Sequence, residues 1–416
     1  MTIELLKAGP EPDLQARDLR ALIPDGGSVT AAVAEIVQQV RERGDLALKA
    51  FTERYDTAGN EAPPLRVTAA ERESAVAQLS GELRKAIELA AANVGRVAAA
   101  GVHAPALIDF GTHTVLSREV PVHSAAVYVP GGRAPYPSTV VMGVVTARAA
   151  GVERVVVASP PGPDGRLNPA IIAAAELTGA SEIYRMGGAQ AVAALAYGTA
   201  SVRAVDVIVG PGNLFVQEAK RQLSGVVGLD SFAGPSDLMV LAEAGTDPEA
   251  ATLDLLAQSE HGPGTLVVAA STSLDLLGEL QRLAQGRLPQ GGAVCRLLHI
   301  PSVEYGLALA EEFAPEHLEL LGAEAERLLP QITRAGCIFV GTGTAFGDYI
   351  AGSNHTLPTS GAARFASVLN ARHFRRVLSE VKIPQPSSLA LAAAPLARAE
   401  GFELHAQSME VRISEN

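Results

Sequence analysis

Tryptophan is absent from the 416 residues, aromatic side chains make up only 4%, and there are just two cysteines, Cys295 and Cys337. So few aromatics leave little with which to stack bases, which argues against single-stranded nucleic acid as a partner. Two cysteines cannot build a disulfide framework and fit a reducing compartment. Cys295 lies in the apolar run GGAVCRLLHI and reads as a buried, inert thiol rather than a nucleophile. Lys and Arg never run beyond two or three residues and the net charge is −12, so neither nucleic acid nor an acidic membrane surface is an expected partner. Every apolar run breaks well short of the roughly 18 residues a membrane span needs. The opening MTIELLKAGPEPD lacks the basic segment and apolar core of a secretory leader, and a cytoplasmic location is expected. Charged residues are also scarce, at 19% against 48% hydrophobic, which excludes a disordered chain and allows two or three units with real cores.

What is present is an alternation of short β-branched runs with alanine-rich helical runs from about 119 to 270. AAVYV (125–129), RVVVAS (154–159), EIYRM (182–186) and VDVIVG (205–210) read as strands. STVVMGVVTARAAG, NPAIIAAAELTG, AQAVAALAYG and NLFVQEAKRQL read as the helices between and after them. Near-continuous apolar strands alternating with helices predict a parallel sheet covered on both faces. After Pro235 a second series begins: strand DLMVLAEA (237–244), a helix capped by Asp247 with Pro248 at its first position, strand TLVVAAS, a helix from Ser273 and strand CIFVG (337–341). Residues 29–101 carry apolar positions at three- and four-residue spacing and are mostly helical. After about 362 the text turns helical again, with a Pro-Ser break at 384–388, and that tail is too poor in hydrophobic variety to fold alone.

Several constellations bear on chemistry. Asp254, Gln258 and His261 share one face of the helix expected over 248–261, although a polar stripe is equally the mark of a solvated face. Glu316 and His317 follow Pro315 in AEEFAPEHLEL, at a turn or a first helical turn, where a carboxylate and an imidazole suit two proton transfers; the plainer reading is a helix-start Glu beside an incidental His. The stretch 341–361, GTGTAFGDYIAGSNHTLPTSG, is a long loop holding Asp348 and His355, and loops of that length are usually functional. Its Gly-x-Gly-x-x-x-Gly spacing is not that of a dinucleotide fingerprint. Better ligand loops are Tyr128–Ser138, Gly187-Gly188-Ala189-Gln190 and Gly210-Pro211-Gly212-Asn213, each between a strand and a helix, where helix amino ends meet anions. Ser236 in AGPSD lacks a hydrolase nucleophile elbow and is at most a substrate contact. Glu400 and His405 would diverge on an unbroken helix, but Gly401 can break it.

Taken together, VYVPGG (127–132), GGAQAVAALAYGT (187–199), VGPGN (209–213), AGPSD (233–237), QSEHGP (258–263), PEHLEL (315–320), GDYIAGSNHTLPT (347–359) and AEGFELH (399–405) resemble the histidinol dehydrogenase family in order and spacing across essentially the whole chain. The resemblance implies an α/β fold of two incomplete Rossmann-like parallel-sheet domains with helical N- and C-terminal extensions. Its expected divisions are 1–24 as an extension, 25–124 with 238–370 as the first domain, 125–237 as the second, NAD-side domain, and 371–416 as a helical tail. It implies one Zn2+ per subunit held by Gln258, His261, Asp348 and His405, and NAD contacts from Tyr128, Gln190 and Asn213. Substrate contacts would be Ser236, Gln258, His261, His317, Asp348, Glu400 and His405, with His355 a neighbour, and Glu316 and His317 would be the proton-transfer pair. The departures are Asp237, Ser259 and Ser353 where Glu, Ala and Thr are usual, and Pro395 and Gly401 within a stretch expected to be helical.

The activity implied is oxidation of L-histidinol to L-histidine through the aldehyde, reducing two NAD in turn, in a homodimer whose tail completes the partner's site. The rival readings are an NAD-linked dehydrogenase of another amino alcohol, a zinc hydrolase using Glu316 without a dinucleotide, and a non-catalytic ligand-binding protein.

Overall fold

Two parallel sheets carry the chain, and both have the same winding. The computed structural model describes residues 2–23, 28–131, 134–232, 234–287 and 292–413; Gly132, Ala233 and the expected boundary at 24–25 lie outside them. In the first sheet, strands Ser124–Tyr128, Arg154–Ser159, Glu182–Arg185, Val207–Val209 and Gly228–Leu229 are all parallel, and across the sheet they stand in the order third, second, first, fourth, fifth. Asp237–Ala242, Leu266–Ser271, Val294–His299, His317–Leu321 and Cys337–Val340 repeat that order in the second sheet. This is the doubly wound order of a Rossmann fold short of its sixth strand. The chain's amino end adds strand Thr2–Lys7 outside Val294–His299, so what reads as a helical extension begins as an edge strand of the second sheet.

Local sequence explains most element ends. Asp247 accepts from the backbone N–H groups of Glu249 and Ala250, with Pro248 starting the helix Pro248–Ser259; Asn168, Asn213 and Ser273 cap their helices in the same way. Runs such as Val155, Val156 and Val157 are wholly buried because helices cover both faces.

The helices between 29 and 101 bury their apolar faces against residues of 124–229. Val33, Ile36, Val40, Leu48 and Phe51 bury against Val192 and Leu195, and Ile87, Ala90 and Val94 against Val140 and Val141. The helices Thr30–Arg43, Asp45–Tyr55, Ala69–Ala77 and Gly81–Ala100 thus form an outer layer on the helices Pro137–Ala149, Pro169–Leu177, Gly188–Tyr197 and Leu214–Leu223 that flank the five-stranded sheet. Helix Pro12–Ala21 packs instead on the six-stranded unit, through Ala16 and Leu19.

The tail also differs from a purely helical reading. Arg375–Lys382 is a strand, antiparallel to Thr114–Pro121, which in turn pairs with Ala106–Asp109. Beyond it, helices Ser387–Ala399 and Glu403–Glu410 pack on each other. Pro395 is carried inside the first of them without ending it; Gly401, at φ +80°, makes the turn between them. Leu391, Leu396, Phe402, Leu404 and Val411 are exposed along this hairpin.

One buried contact lies between the second sheet and its covering helix. Glu319 is 0% exposed on strand His317–Leu321 and meets Asp254 on helix Pro248–Ser259, one turn before Gln258; among the described residues no donor reaches either Glu319 oxygen. Burial and the nearby Asp254 charge push Glu319 up to about 9, and burial raises Asp254 as well. A carboxyl whose folded pKa is raised contributes fully at low pH and loses stability as pH climbs from the ordinary carboxylate range toward 9. Glu319→Gln, which keeps the size and removes the titration, is therefore expected to raise stability on the order of 1–2 kcal/mol at pH 8.5 and to change it little at pH 5. Thermal melts across that range check it; a gain independent of pH would show that Glu319 carries no raised pKa.

Candidate active site

The site lies at the amino edge of the six-stranded sheet. Helix Val303–Phe313 stops at Ala314, a non-glycine residue in the left-handed region (φ +48°), and Pro315 then turns the chain into strand His317–Leu321. Glu316 and His317 therefore stand at a strand entry, not at a helix start as one reading of PEHLEL had it. The Arg20 guanidinium locks this turn, donating to the Phe313 carbonyl at 2.7 Å and the Ala314 carbonyl at 3.3 Å while lying 3.6 Å over the Phe313 ring.

Asp237, at the start of the central strand, ties the turn to the sheet. Its carboxylate accepts from Arg20 Nη1 at 2.6 Å and from the Glu316 backbone N–H at 2.7 Å. The Asp237 N–H in return donates to Glu316 Oε2 at 3.0 Å. Ser236 Oγ donates to the same oxygen at 2.5 Å and accepts from Gln258 Nε2 at 2.6 Å. Gln258 Nε2 also lies 3.4 Å from His317 Nδ1, and His317 Nε2 lies 3.3 Å from Asp348 Oδ1. His317 Nδ1 and Glu316 Oε2 are 3.7 Å apart. The structure thus brings together Ser236, Gln258, Glu316, His317 and Asp348 out of the residues the sequence nominates.

Both members of the central pair are almost fully buried. Burial raises the Glu316 pKa, aided by the Asp237 charge and opposed by His317. For His317 burial works the other way, but the Glu316 and Asp348 carboxylates outweigh it and raise its pKa. Both shifts favour keeping a proton within the pair, which is the property of a group that delivers and recovers protons. Asp348 is also buried at cost to its charge, yet His317, His355 and His261 hold its carboxyl below the usual range.

His261 falls two residues beyond the helix end at Ser259, just before the Gly262 turn at φ +95°; burial of its ring lowers its pKa while the Asp348 charge opposes the drop. His355 binds the Asp348 carbonyl through Nδ1 at 2.8 Å and Thr139 Oγ1 through Nε2 at 3.2 Å. Asn354 donates to the Met142 carbonyl and to Thr146 Oγ1, so the 348–355 loop is pinned to helix Pro137–Ala149 of the other sheet.

Gln258, His261 and Asp348 offer the mixed oxygen and nitrogen donors that suit Zn2+, and because Gln258 Nε2 is committed to Ser236 its amide oxygen is left for such an ion. Within one chain the set is incomplete: among the described residues no three His, Cys, Asp or Glu side chains converge as a metal-holding group. Glu400 and His405 lie exposed on the tail, where the His405 ring packs beside Phe402 at 5.2 Å, and among the described residues neither bonds to the site.

Tyr128, Gln190 and Asn213 all line one cleft of about 1020 Å³ at the carboxyl edge of the five-stranded sheet. Gly210, just past strand Val207–Val209, has to be glycine: at φ +112° an added Cβ would lie 2.2 Å from the Tyr128 carbonyl oxygen. Behind it, the buried Lys220–Asp230 pair at 2.7 Å anchors the loop, Lys220 donating to the Gly210 carbonyl and Gly210 N–H to Asp230. Tyr128 Oη accepts from Gly188 N–H, and Asn213 caps its own helix, so both have scaffold roles as well. Ser159 Oγ, buried at the end of the second strand and lining the same cleft, has no hydrogen-bond partner among the described residues, which fits a polar ligand there.

Fold and site define an α/β enzyme with a buried acid/base pair on one sheet and a ligand cleft on the other. The chain matches the sequence profile described as histidinol dehydrogenase over residues 24–413 and belongs to that family, whose members are oxidoreductases. It is 45% identical over 398 residues to a histidinol dehydrogenase from a Synechococcus strain, covering 92% of both chains, and 42% identical to one from Deinococcus radiodurans, covering 97% of this chain and 95% of that one. The crystal structure of histidinol dehydrogenase from Elizabethkingia anophelis superposes with a TM-score of 0.91 at 29% identity, covering 99% of this chain and 98% of that one.

Sequence reading missed Arg20 and the supporting role of Asp237. Nothing local marks Arg20, whose partners lie 217 and 293 residues away. Asp237 reaches both Arg20 and the Glu316 N–H with its short side chain. Arg20→Ala would leave the buried Asp237 charge without its cation and is expected to cost about 3 kcal/mol of stability. It should also lower kcat, because the turn presenting Glu316 loosens. Denaturant melts and steady-state rates check both; unchanged values in each would show that the clamp is idle.

Proposed function

We propose that this protein oxidises L-histidinol to L-histidine through L-histidinaldehyde, the end of histidine biosynthesis, with NAD as acceptor and zinc as the bound metal. The observation that carries the reading is the buried Glu316–His317 pair, joined within one hydrogen-bonded network to two of the nominated zinc donors, Gln258 and Asp348. Bound zinc, held by Gln258, His261, Asp348 and His405, would orient the substrate's nitrogens, and bound NAD, held by Tyr128, Gln190 and Asn213, would take the hydride.

The chain's own residues do the proton work. His317 accepts the hydroxyl proton in each oxidation, and Asp348 and Gln258 fix its ring on either side. Glu316 withdraws a proton from the water that hydrates the aldehyde; Ser236 Oγ and Asp237 N–H, both on Oε2, hold its carboxylate in place. Ser236 lies at the substrate side of that carboxylate, and Glu400 and His405 supply the remaining polar wall. Rise of the NADH absorbance on mixing protein, zinc, NAD and L-histidinol is the expected result, with two NADH per histidine formed. Exhaustive chelation should remove the activity and added zinc restore it; full turnover by metal-free protein would overturn the zinc assignment, and turnover without NADH would favour a hydrolase.

We also infer a homodimer with shared sites. The exposed apolar tail hairpin and the position of Glu400 and His405 outside their own chain's site support the reading. A second copy's tail would bring both residues in, and C2 symmetry would make the exchange reciprocal. Chains bearing His405→Asn and His317→Asn should each be inactive, yet mixing equal amounts through mild unfolding should restore about half of the wild-type rate per mixed dimer, about a quarter for the randomly paired mixture, since one site of each mixed dimer is then intact. Confirmed exchange with no recovered activity would place His405 in its own chain's site.

A further inference from the structure

At the carboxyl edge of the six-stranded sheet, away from the acid/base pair, lies a cavity of about 410 Å³. Glu243, Asp247, Asp254, Glu319 and Glu326 line it, and among the described residues no Lys, Arg or His does. An acidic lining alone is only a solvated surface. Glu319 is not solvated: it is 0% exposed, it faces the cavity, and no donor among the described residues reaches either of its oxygens. Buried polar groups are nearly always met by a partner, and a carboxylate is the costliest to leave without one. The side chain that Glu319 does touch, Asp254, is a second carboxylate and cannot relieve it when both are ionised.

Three elements hold the pair in place. His317 and Glu319 share one face of strand His317–Leu321, and Asp254 and Gln258 share one face of helix Pro248–Ser259. The two faces meet twice, Gln258 with His317 and Asp254 with Glu319. The third element is the Gly341-Thr342-Gly343 loop that follows strand Cys337–Val340. A Cβ built on Gly343 would lie 2.3 Å from Asp254 Oδ1, so glycine lets the loop backbone close over that carboxylate. The outer acids are partly committed: Asp247 caps its helix, and Glu243 accepts the Glu324 N–H.

We propose that Asp254 and Glu319 together bind one hard divalent cation of the Mg2+ type, at a site separate from the zinc donors and independent of the oxidation described above. Donors that are all oxygen select a hard ion over zinc. Among the described residues no third acidic or imidazole side chain joins the pair, and two carboxylates completed by water are a usual Mg2+ shell. Four such waters need roughly 120 Å³, which the cavity supplies. Ammonium and guanidinium groups are too large to reach a carboxylate that is closed to water, whereas a bare divalent ion is smaller. Glu243, Asp247 and Glu326 draw the cation in, and the deep pair holds it. So placed, the ion ties the helix that carries Gln258 to the strand that carries His317, and no step of the oxidation passes through it.

The experiment needs no substrate. Zinc-loaded protein is melted in increasing MgCl2 at constant ionic strength and mildly alkaline pH, where a proton competes less for the pair. Wild type should show a saturable rise in Tm, about 2 °C at ten times the half-saturating concentration. Glu319→Gln, which keeps the size of the side chain, and Asp254→Asn should each lose that response. No response in wild type overturns the proposal. So does an equal response in Glu319→Gln, which would put the ion on the outer carboxylates. A second measurement locates the ion directly: crystals of the zinc-loaded wild type grown with Mn2+ in place of Mg2+ should show an anomalous peak between Asp254 and Glu319. Manganese found only elsewhere, or not at all, also overturns the assignment.

Discussion

The burial of one carboxylate, Glu316, is the constraint around which the second sheet is arranged. A carboxylate removed from water is costly unless every lone pair is met. Here Ser236 Oγ and Asp237 N–H meet one oxygen, while the Asp237 carboxylate holds the Glu316 backbone and is itself neutralised by Arg20. Removing any member strands a charge in the interior, so the first helix, the central strand, the turn at Ala314 and the helix carrying Gln258 are bound to a single geometry. That geometry also sets His317, because the strand that Glu316 enters places the imidazole between Gln258 and Asp348.

What could be read in advance follows from how far each interaction reaches along the chain. Asp247-Pro248, Asn213 and Ser273 announce helix starts because a cap bonds only two or three residues away. The valine runs at 154–159 and 205–210 declare buried parallel strands for the same local reason. Strand Arg375–Lys382 was illegible: its side chains alternate weakly and its partner, Thr114–Pro121, lies some 260 residues earlier. The strand character of His317–Leu321 was hidden by Pro315 and Glu316, which also suit a helix start.

The site was legible as residue types and only in part as geometry. Periodicity put Asp254 and Gln258 on one helix face; the structure shows that the two serve different ends, Gln258 facing the acid/base pair and Asp254 meeting Glu319. Arg20 carries no local signal, and its partners lie 217 and 293 residues away. The same range effect applies to the helices of 30–100, whose apolar faces say that they bury but not which helices they pack against.

Among the described residues the two sheets of identical winding differ in what their carboxyl edges hold. Each has its crevice at the carboxyl edge, between its first and fourth strands. In the five-stranded sheet the helices starting at Gly188 and Leu214 have their amino ends at the cleft, which Gly188, Asn213 and Phe215 line. In the six-stranded sheet the equivalent corner is filled by the chain's own anion. Glu243, just past the central strand, packs against Gly322 so closely that a Cβ there would lie 2.2 Å from its carboxylate, and it accepts the Glu324 N–H at 3.0 Å. Asp254 and Glu319 line what remains, a cavity of about 410 Å³ beside Gly341-Thr342-Gly343. A phosphate entering there would meet carboxylates instead of free N–H groups, so that loop's glycines do not make it a nucleotide site. The acid/base residues of the second sheet stand at its opposite, amino edge, where Asp237 begins the central strand and Glu316 and His317 enter the next.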